Sequence, residues 1–161
     1  MKVSFEVGIS AKLAKALNDA TKPIDELTAK QLGLDVVKEI KDLVSRGVSP
    51  IDGNGKFPRY KNPSKYPGKQ KPRSPVNLKL SGDFLNALTH RITPESFGRG
   101  TEIFFSNNQD IKERGHRDGA NGQPERPMLP TERGEEFIRQ IRKIYEDLYR
   151  NRIVEVLKGK G

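Results

Sequence analysis

His116 and Asp118 stand two positions apart in the glycine-rich run RGHRDGANG (114–122). The pair has the residue types of a proton-transfer dyad, but such a dyad acts on a nucleophile or substrate proton within hydrogen-bond reach. No activated-nucleophile motif accompanies it, so both residues read as solvated loop positions. The other histidine, His90, has no partner at metal-ligand spacing, and the chain contains no cysteine. That composition excludes a disulfide framework, a thiol nucleophile and a thiolate metal site, and the histidine spacing gives no zinc or di-iron centre. The GNGK run at 53–56 lacks the length of a phosphate loop and precedes no helical pattern. Acidic residues occur beside basic ones, as on a solvated helix face. The expectation is a protein without catalysis, cofactor or metal.

The remaining chemistry is electrostatic. The formal net charge of the 161 residues is +9, and it is concentrated. Lys56, Arg59, Lys61, Lys65, Lys69, Lys71, Arg73 and Lys79 fall between positions 53 and 82 with no acidic residue among them. Phe57, Tyr60 and Tyr66 are interleaved with these cations. Three readings fit such a segment. It is a solvated loop without a partner; or it neutralises nucleic-acid phosphates, with the aromatics as stacking groups; or it wraps an acidic protein surface, its prolines lowering the ordering entropy and its aromatics filling pockets. No RNP, KH, zinc-finger or arginine-rich motif supports the second reading, and residue pattern alone does not separate it from the third.

The segment needs a body to hold it. Positions 3–7 alternate Val3, Phe5 and Val7 as a half-buried strand, and Ser10 is placed to cap a short helix carrying Leu13 and Leu17 on one face. From Pro23 to position 46 the spacing of Leu27, Val36, Val37, Ile40, Leu43 and Val44 predicts a long amphipathic helix, with Gly33 as a soft point and Gly47 just past its end. Positions 48–75 contain six of the eleven prolines and no periodicity, which predicts an extended basic loop or arm. Val76, Leu78 and Leu80 then alternate as a strand. Ser81 is placed to cap a helix with Phe84, Leu85 and Leu88 facing the core and Leu80 stapled to Leu85. THRIT and TEIFFS read as a hairpin around PESFGRG. Positions 107–123 read as a flexible polar loop, PERPMLP as extended chain, and Thr131 as the start of a long C-terminal helix. Its stripe runs through Phe137, Ile141, Ile144 and Leu148, with Glu135–Arg139 and Glu146–Arg150 pairs on the wet side.

These elements read as one α+β domain over 1–161, with helices and short strands that include a hairpin. No apolar run reaches the roughly 20 residues of a membrane span, and the N-terminus lacks a signal-peptide core. The expectation is a soluble protein made in a cytosol.

Three segments occur in a fixed order: GVSPIDGNGKFPRYK (47–61), RSPVNLKLSGDFLNAL (73–88) and GQPERPMLP (122–130). The second carries a V-x-L-x-L-[ST]-G-x-[FM]-L-x-x-L element at 76–88, the third an R-P-[MF]-L element at 126–129. In this order, ahead of a long C-terminal helix, they resemble the tail-completion, or virion-morphogenesis, proteins of tailed bacteriophages. The resemblance implies an α+β fold with a small, mostly antiparallel sheet packed by helices, in a structural component of the virion neck, assembled in the host cytoplasm, that forms a closed sixfold ring of its own copies. It also implies contacts with connector, terminator or tail-tube proteins and with DNA in the lumen, and no cofactor, catalysis or membrane. The neck position stays open between tail completion, tail terminator and a connector layer. On this reading Lys56, Phe57, Arg59, Tyr60, Lys61, Lys65, Tyr66, Lys69, Lys71 and Arg73 form the interaction arm, and Arg126 and Met128 a second contact. The alternative is a basic nucleic-acid-binding protein that uses positions 56–73.

Overall fold

The computed structural model describes residues 25–60, 76, 78, 82–95, 98–131 and 135–158. They form a mixed α+β fold: helix α1 (Glu26–Ser45), a single turn α2 (Asp83–Asn86), strands β1 (Leu88–Glu95) and β2 (Gly98–Phe105), helix α3 (Asp110–Arg117), a 3-10 turn (Ala120–Gly122) and helix α4 (Arg139–Leu157). The strand at 3–7, the helix from Ser10, and Leu80 and Ser81 lie outside the described residues.

Helix α1 is set at both ends by its sequence. Asp25 is the N-cap: one carboxylate oxygen accepts the Thr28 N–H at 2.8 Å and the other accepts the Thr28 hydroxyl at 2.8 Å. These bonds hold the Asp25 carboxyl below its ordinary pKa. At the other end Gly47 takes a φ of 75°, while its N–H reaches Val44 O and the Val48 N–H reaches Leu43 O. That is a Schellman ending, which favours glycine because of the left-handed backbone. The buried stripe is Ala29, Leu32, Gly33, Val36, Val37, Ile40, Leu43 and Val44. Leu27, expected in it, is 77% exposed. At 100° per residue Leu27 lies on the face opposite Val36, together with Leu34, which is also exposed.

β1 and β2 form the expected antiparallel hairpin, in register from Leu88 opposite Phe105 to Glu95 opposite Gly98. α1 packs across it at close range. A Cβ on Gly33 would stand 2.6 Å from Thr101 Oγ1 and 2.5 Å from His90 Cγ. Gly33 is thus the contact that lets helix and hairpin meet, rather than a soft point in the helix. On the exposed side Arg91 pairs with its cross-strand partner Glu102 at 2.7 Å and lies over the Phe104 ring.

Several expectations change. Val76 and Leu78 are both buried, but Leu78 has a φ of 52°, so the alternating run is not a regular strand there. The helix expected after Ser81 is only the turn α2, with Gly82 in the N-cap position and Leu88 already in β1. Its Phe84 still reaches the core, stacked on Phe105 at 4.8 Å. α4 begins at Arg139 rather than near Thr131. The preceding residues pair instead with the 50–52 turn: Asp52 N–H donates to Glu136 O and Ile138 N–H to Pro50 O, at 2.9 and 2.8 Å. The Glu135 carboxylate folds back on Thr131, accepting its N–H and its hydroxyl. From Arg139 onward the expected stripe holds, with Ile141 fully buried and Ile144, Tyr145 and Leu148 packed against the core. Burial pushes the Tyr145 phenol up.

Candidate functional site at the root of the basic segment

Residues 47–57 fold into a tight hairpin-like loop. Ser49 N–H donates to Gly55 O and Phe57 N–H to Gly47 O, both at 2.8 Å, and the turn between them uses the positive φ of Gly53 and Gly55. The GNGK run is this turn, and the described residues that follow it, 57–60, are not helical.

At its end the residues expected to form one arm separate into two kinds. Lys56 and Arg59 are exposed, whereas Phe57 and Tyr60 are each only 7% exposed and belong to the core cluster. Phe57 and Tyr60 are therefore not outward anchors, and residues 48–60 are part of the body. Lys61, Lys65, Tyr66, Lys69, Lys71 and Arg73 lie outside the described residues. Where description resumes, Val76 and Leu78 are each 4% exposed in the same core. The basic segment 61–75 is bounded by buried residues on both sides.

Arg126 fixes the first of these boundaries. Its side chain is expected at an outer contact, yet the residue is 1% exposed. Its Nε and Nη2 donate to Pro58 O at 3.2 and 3.1 Å, Nη2 also to Arg59 O at 3.2 Å, and Nη1 to Pro124 O at 3.4 Å. The guanidinium carbon lies 4.9 Å from the Tyr60 ring centroid. Only arginine offers several donors in a rigid plane that can also stack on an aromatic face. The prolines have no N–H of their own, and chain rich in them cannot join a regular ladder, so its partly buried carbonyls are met by side-chain donors. Ser49, also 1% exposed, adds a second tie: its hydroxyl donates to Pro127 O at 2.9 Å and accepts the Ile51 N–H. Met128 is completely buried, so it too serves this chain's interior rather than an outer contact.

The segment around Arg126 is held in turn by α3, which replaces the flexible loop expected at 107–123. The left-handed Asn107 and Asn108 turn the chain out of β2, and α3 follows. Its Glu113 is 4% exposed and accepts Arg117 Nη2 at 2.6 Å. Burial pushes the Glu113 carboxyl up, against the nearby Arg117 guanidinium and the backbone of Met128 and Leu129, which pull it down. Arg117 donates to Leu129 O at 3.3 Å, and the Arg126 N–H to His116 O at 2.6 Å. The His116 ring leans on Phe84 at 5.3 Å, and Asp118 is the exposed C-cap of α3. Sequence reasoning missed Ser49, Glu113 and Arg117. The available signal was the four-residue spacing of Glu113 and Arg117 beside a proline-flanked arginine.

The result is a chain of supports: α3 holds 126–129, Arg126 holds 58–60, and exposed cations stand at the border. Among the described residues no three His, Cys, Asp or Glu side chains gather as metal ligands, and no helix is long and apolar enough to cross a membrane. Comparison with known proteins finds no matching family model, no matching curated protein and no matching solved structure.

Proposed function

We propose that this chain is a structural ring subunit of a tailed-phage neck, joining the tail to the head connector. In this role the basic segment 61–75, with Lys56 and Arg59 at its root, contacts an adjacent copy, an acidic surface of a neighbouring ring, or DNA in the lumen. The observation that carries the reading is the burial of Tyr60 on one side of the segment and of Val76 and Leu78 on the other. Five cations and four prolines thereby start and end on a fixed body, as a contact element for assembly requires. A further support is that the three segments carrying the phage resemblance meet in one core. Phe57 and Tyr60, Val76, Leu78, Phe84 and Leu85, and Met128 all belong to it.

The second reading, a nucleic-acid-binding protein using positions 56–73, is favoured by the absence of acidic residues there. It loses two of its three stacking groups, because Phe57 and Tyr60 are buried, and rests on phosphate neutralisation plus Tyr66.

Replacing residues 61–73 by a short Gly-Ser linker tests the proposal while sparing the core residues at 57 and 60. The expected product is folded and no longer enters particles. Normal incorporation overturns the assembly role.

A further inference from the structure

Among the described residues the exposed large hydrophobic side chains are Leu27, Leu34, Ile111 and Val154. All but Ile111 lie on α1 and α4, the two helices that form an apolar groove of about 610 Å³. Leu27, Leu32, Ile144 and Leu148 supply its apolar lining. Asp35 and Asp147 are the charged residues among the described ones that line it, so the groove is acidic on a chain whose net charge is +9. An apolar hollow of this kind, with Leu27 77% exposed beside it, marks a surface that a protein partner covers.

Ile111 is the complementary knob. It is 63% exposed on α3, with exposed Lys112 next to it and exposed Arg114 three positions on, along the same face. Arg114 holds Asp110 at 3.6 Å in a pair exposed on both sides, and such a pair is too weak to keep the guanidinium from another carboxylate. The knob is thus apolar with cations beside it, and the groove apolar with carboxylates beside it. They do not meet within one subunit. α3 packs on β2 and the 3-10 turn, α1 packs on α4, and no α3 residue lines the groove. Two copies can bring them together in a head-to-tail contact, in which each copy gives its knob to one neighbour and receives another's. Repeated by rotation, that contact closes a ring.

We propose that Ile111 of one copy docks in the α1–α4 groove of the next, with Lys112 and Arg114 facing Asp35 and Asp147. The inference rests on the ring reading and names the two surfaces that close the ring.

The absence of natural cysteine allows a direct test in the full chain. Gln31→Cys lines the groove and Arg114→Cys stands beside the knob, so both leave the apolar contact intact. Mixed under mild oxidation, these two single variants form a covalent dimer about tenfold or more faster than Arg114→Cys mixed with Asn54→Cys on the exposed 53–55 turn, because docking raises the local thiol concentration. Equal rates overturn the proposal. So does Gln31→Cys alone dimerising as fast as the mixture, which would set two α1–α4 surfaces face to face. Charge exchange gives a second readout. Asp35→Lys with Asp147→Lys raises the concentration needed for assembly about tenfold or more, and adding Lys112→Glu with Arg114→Glu recovers it; an unchanged concentration, or no recovery, overturns the proposal. A parent that is oligomeric by native mass spectrometry but gives no faster 31–114 cross-link overturns this contact alone, whereas a monomeric parent overturns the ring with it.

Discussion

Arg126 and Pro58, 68 positions apart, are joined by two hydrogen bonds from one guanidinium to one carbonyl, at 3.2 and 3.1 Å. The same side chain reaches Arg59 O and lies against Tyr60. A buried cation thus organises the last described residues before the basic segment and sets where that segment begins.

Arg126→Met keeps much of the side-chain volume and removes every donor. The partly buried carbonyls of Pro58, Arg59 and Pro124 lose charged donors, so the expected loss of stability is about 2 kcal/mol, read by urea unfolding. Arg126→Lys recovers only part of it, since one ammonium lacks the planar array of donors. A loss below about 0.5 kcal/mol for Arg126→Met, within the range of ordinary surface changes, would show that Arg126 does not hold the 58–60 segment.

Glu113 gives a pH signature. Its folded pKa lies above the ordinary 4.5 because of burial, so the folded state binds the proton more tightly than the unfolded state. The burial penalty on the carboxylate is complete above the folded pKa and disappears as pH falls below 4.5. The unfolding free energy of the parent, minus that of Glu113→Gln, should rise as pH is lowered through this window. A constant or falling difference contradicts the assignment.

Gly33→Ala should destabilise by about 2 kcal/mol through overpacking, although alanine is the better helix former. The added methyl meets the His90 ring and Thr101 Oγ1, and His90→Ala in the same chain should restore part of the loss. A thermal melt showing Gly33→Ala as stable as the parent would mean that α1 and the hairpin do not approach so closely.

The long amphipathic helix and the hairpin were legible because their apolar spacing is local: Val36, Ile40 and Leu43 repeat with the helix, and two short runs flank a turn. The rest depended on partners distant in sequence. α3 has no apolar stripe to announce it; it is held by the Glu113–Arg117 pair, by the Arg126 N–H on His116 O and by Arg117 on Leu129 O. The residues before Arg139 fit a helical pattern but are drawn into pairing with the 50–52 turn. Phe57 and Tyr60 resembled outward anchors because cations flank them, yet the loop turns the aromatics inward and leaves Lys56 and Arg59 outside. In the same way, Arg126 had the composition of a contact residue. Its role emerged only once Pro58 and Arg59 were seen to bring their carbonyls to it.

Changing Lys65, Lys69, Lys71 and Arg73 together to Ala separates the two readings of the basic segment. Under the assembly reading the variant loses ring contacts, and the parent binds duplex and single-stranded oligonucleotides without preference and only at low salt. Tight oligonucleotide binding by the parent, with a steep salt dependence that flattens by about three to four logarithmic units of slope in the variant, belongs to the nucleic-acid reading.

Native mass spectrometry of the nuclease-treated full chain across a salt series bears most directly on the ring. A discrete closed oligomer, a hexamer free of nucleic acid, is the expected species. A monomer at every concentration and salt, bare or carrying oligonucleotide, would contradict it.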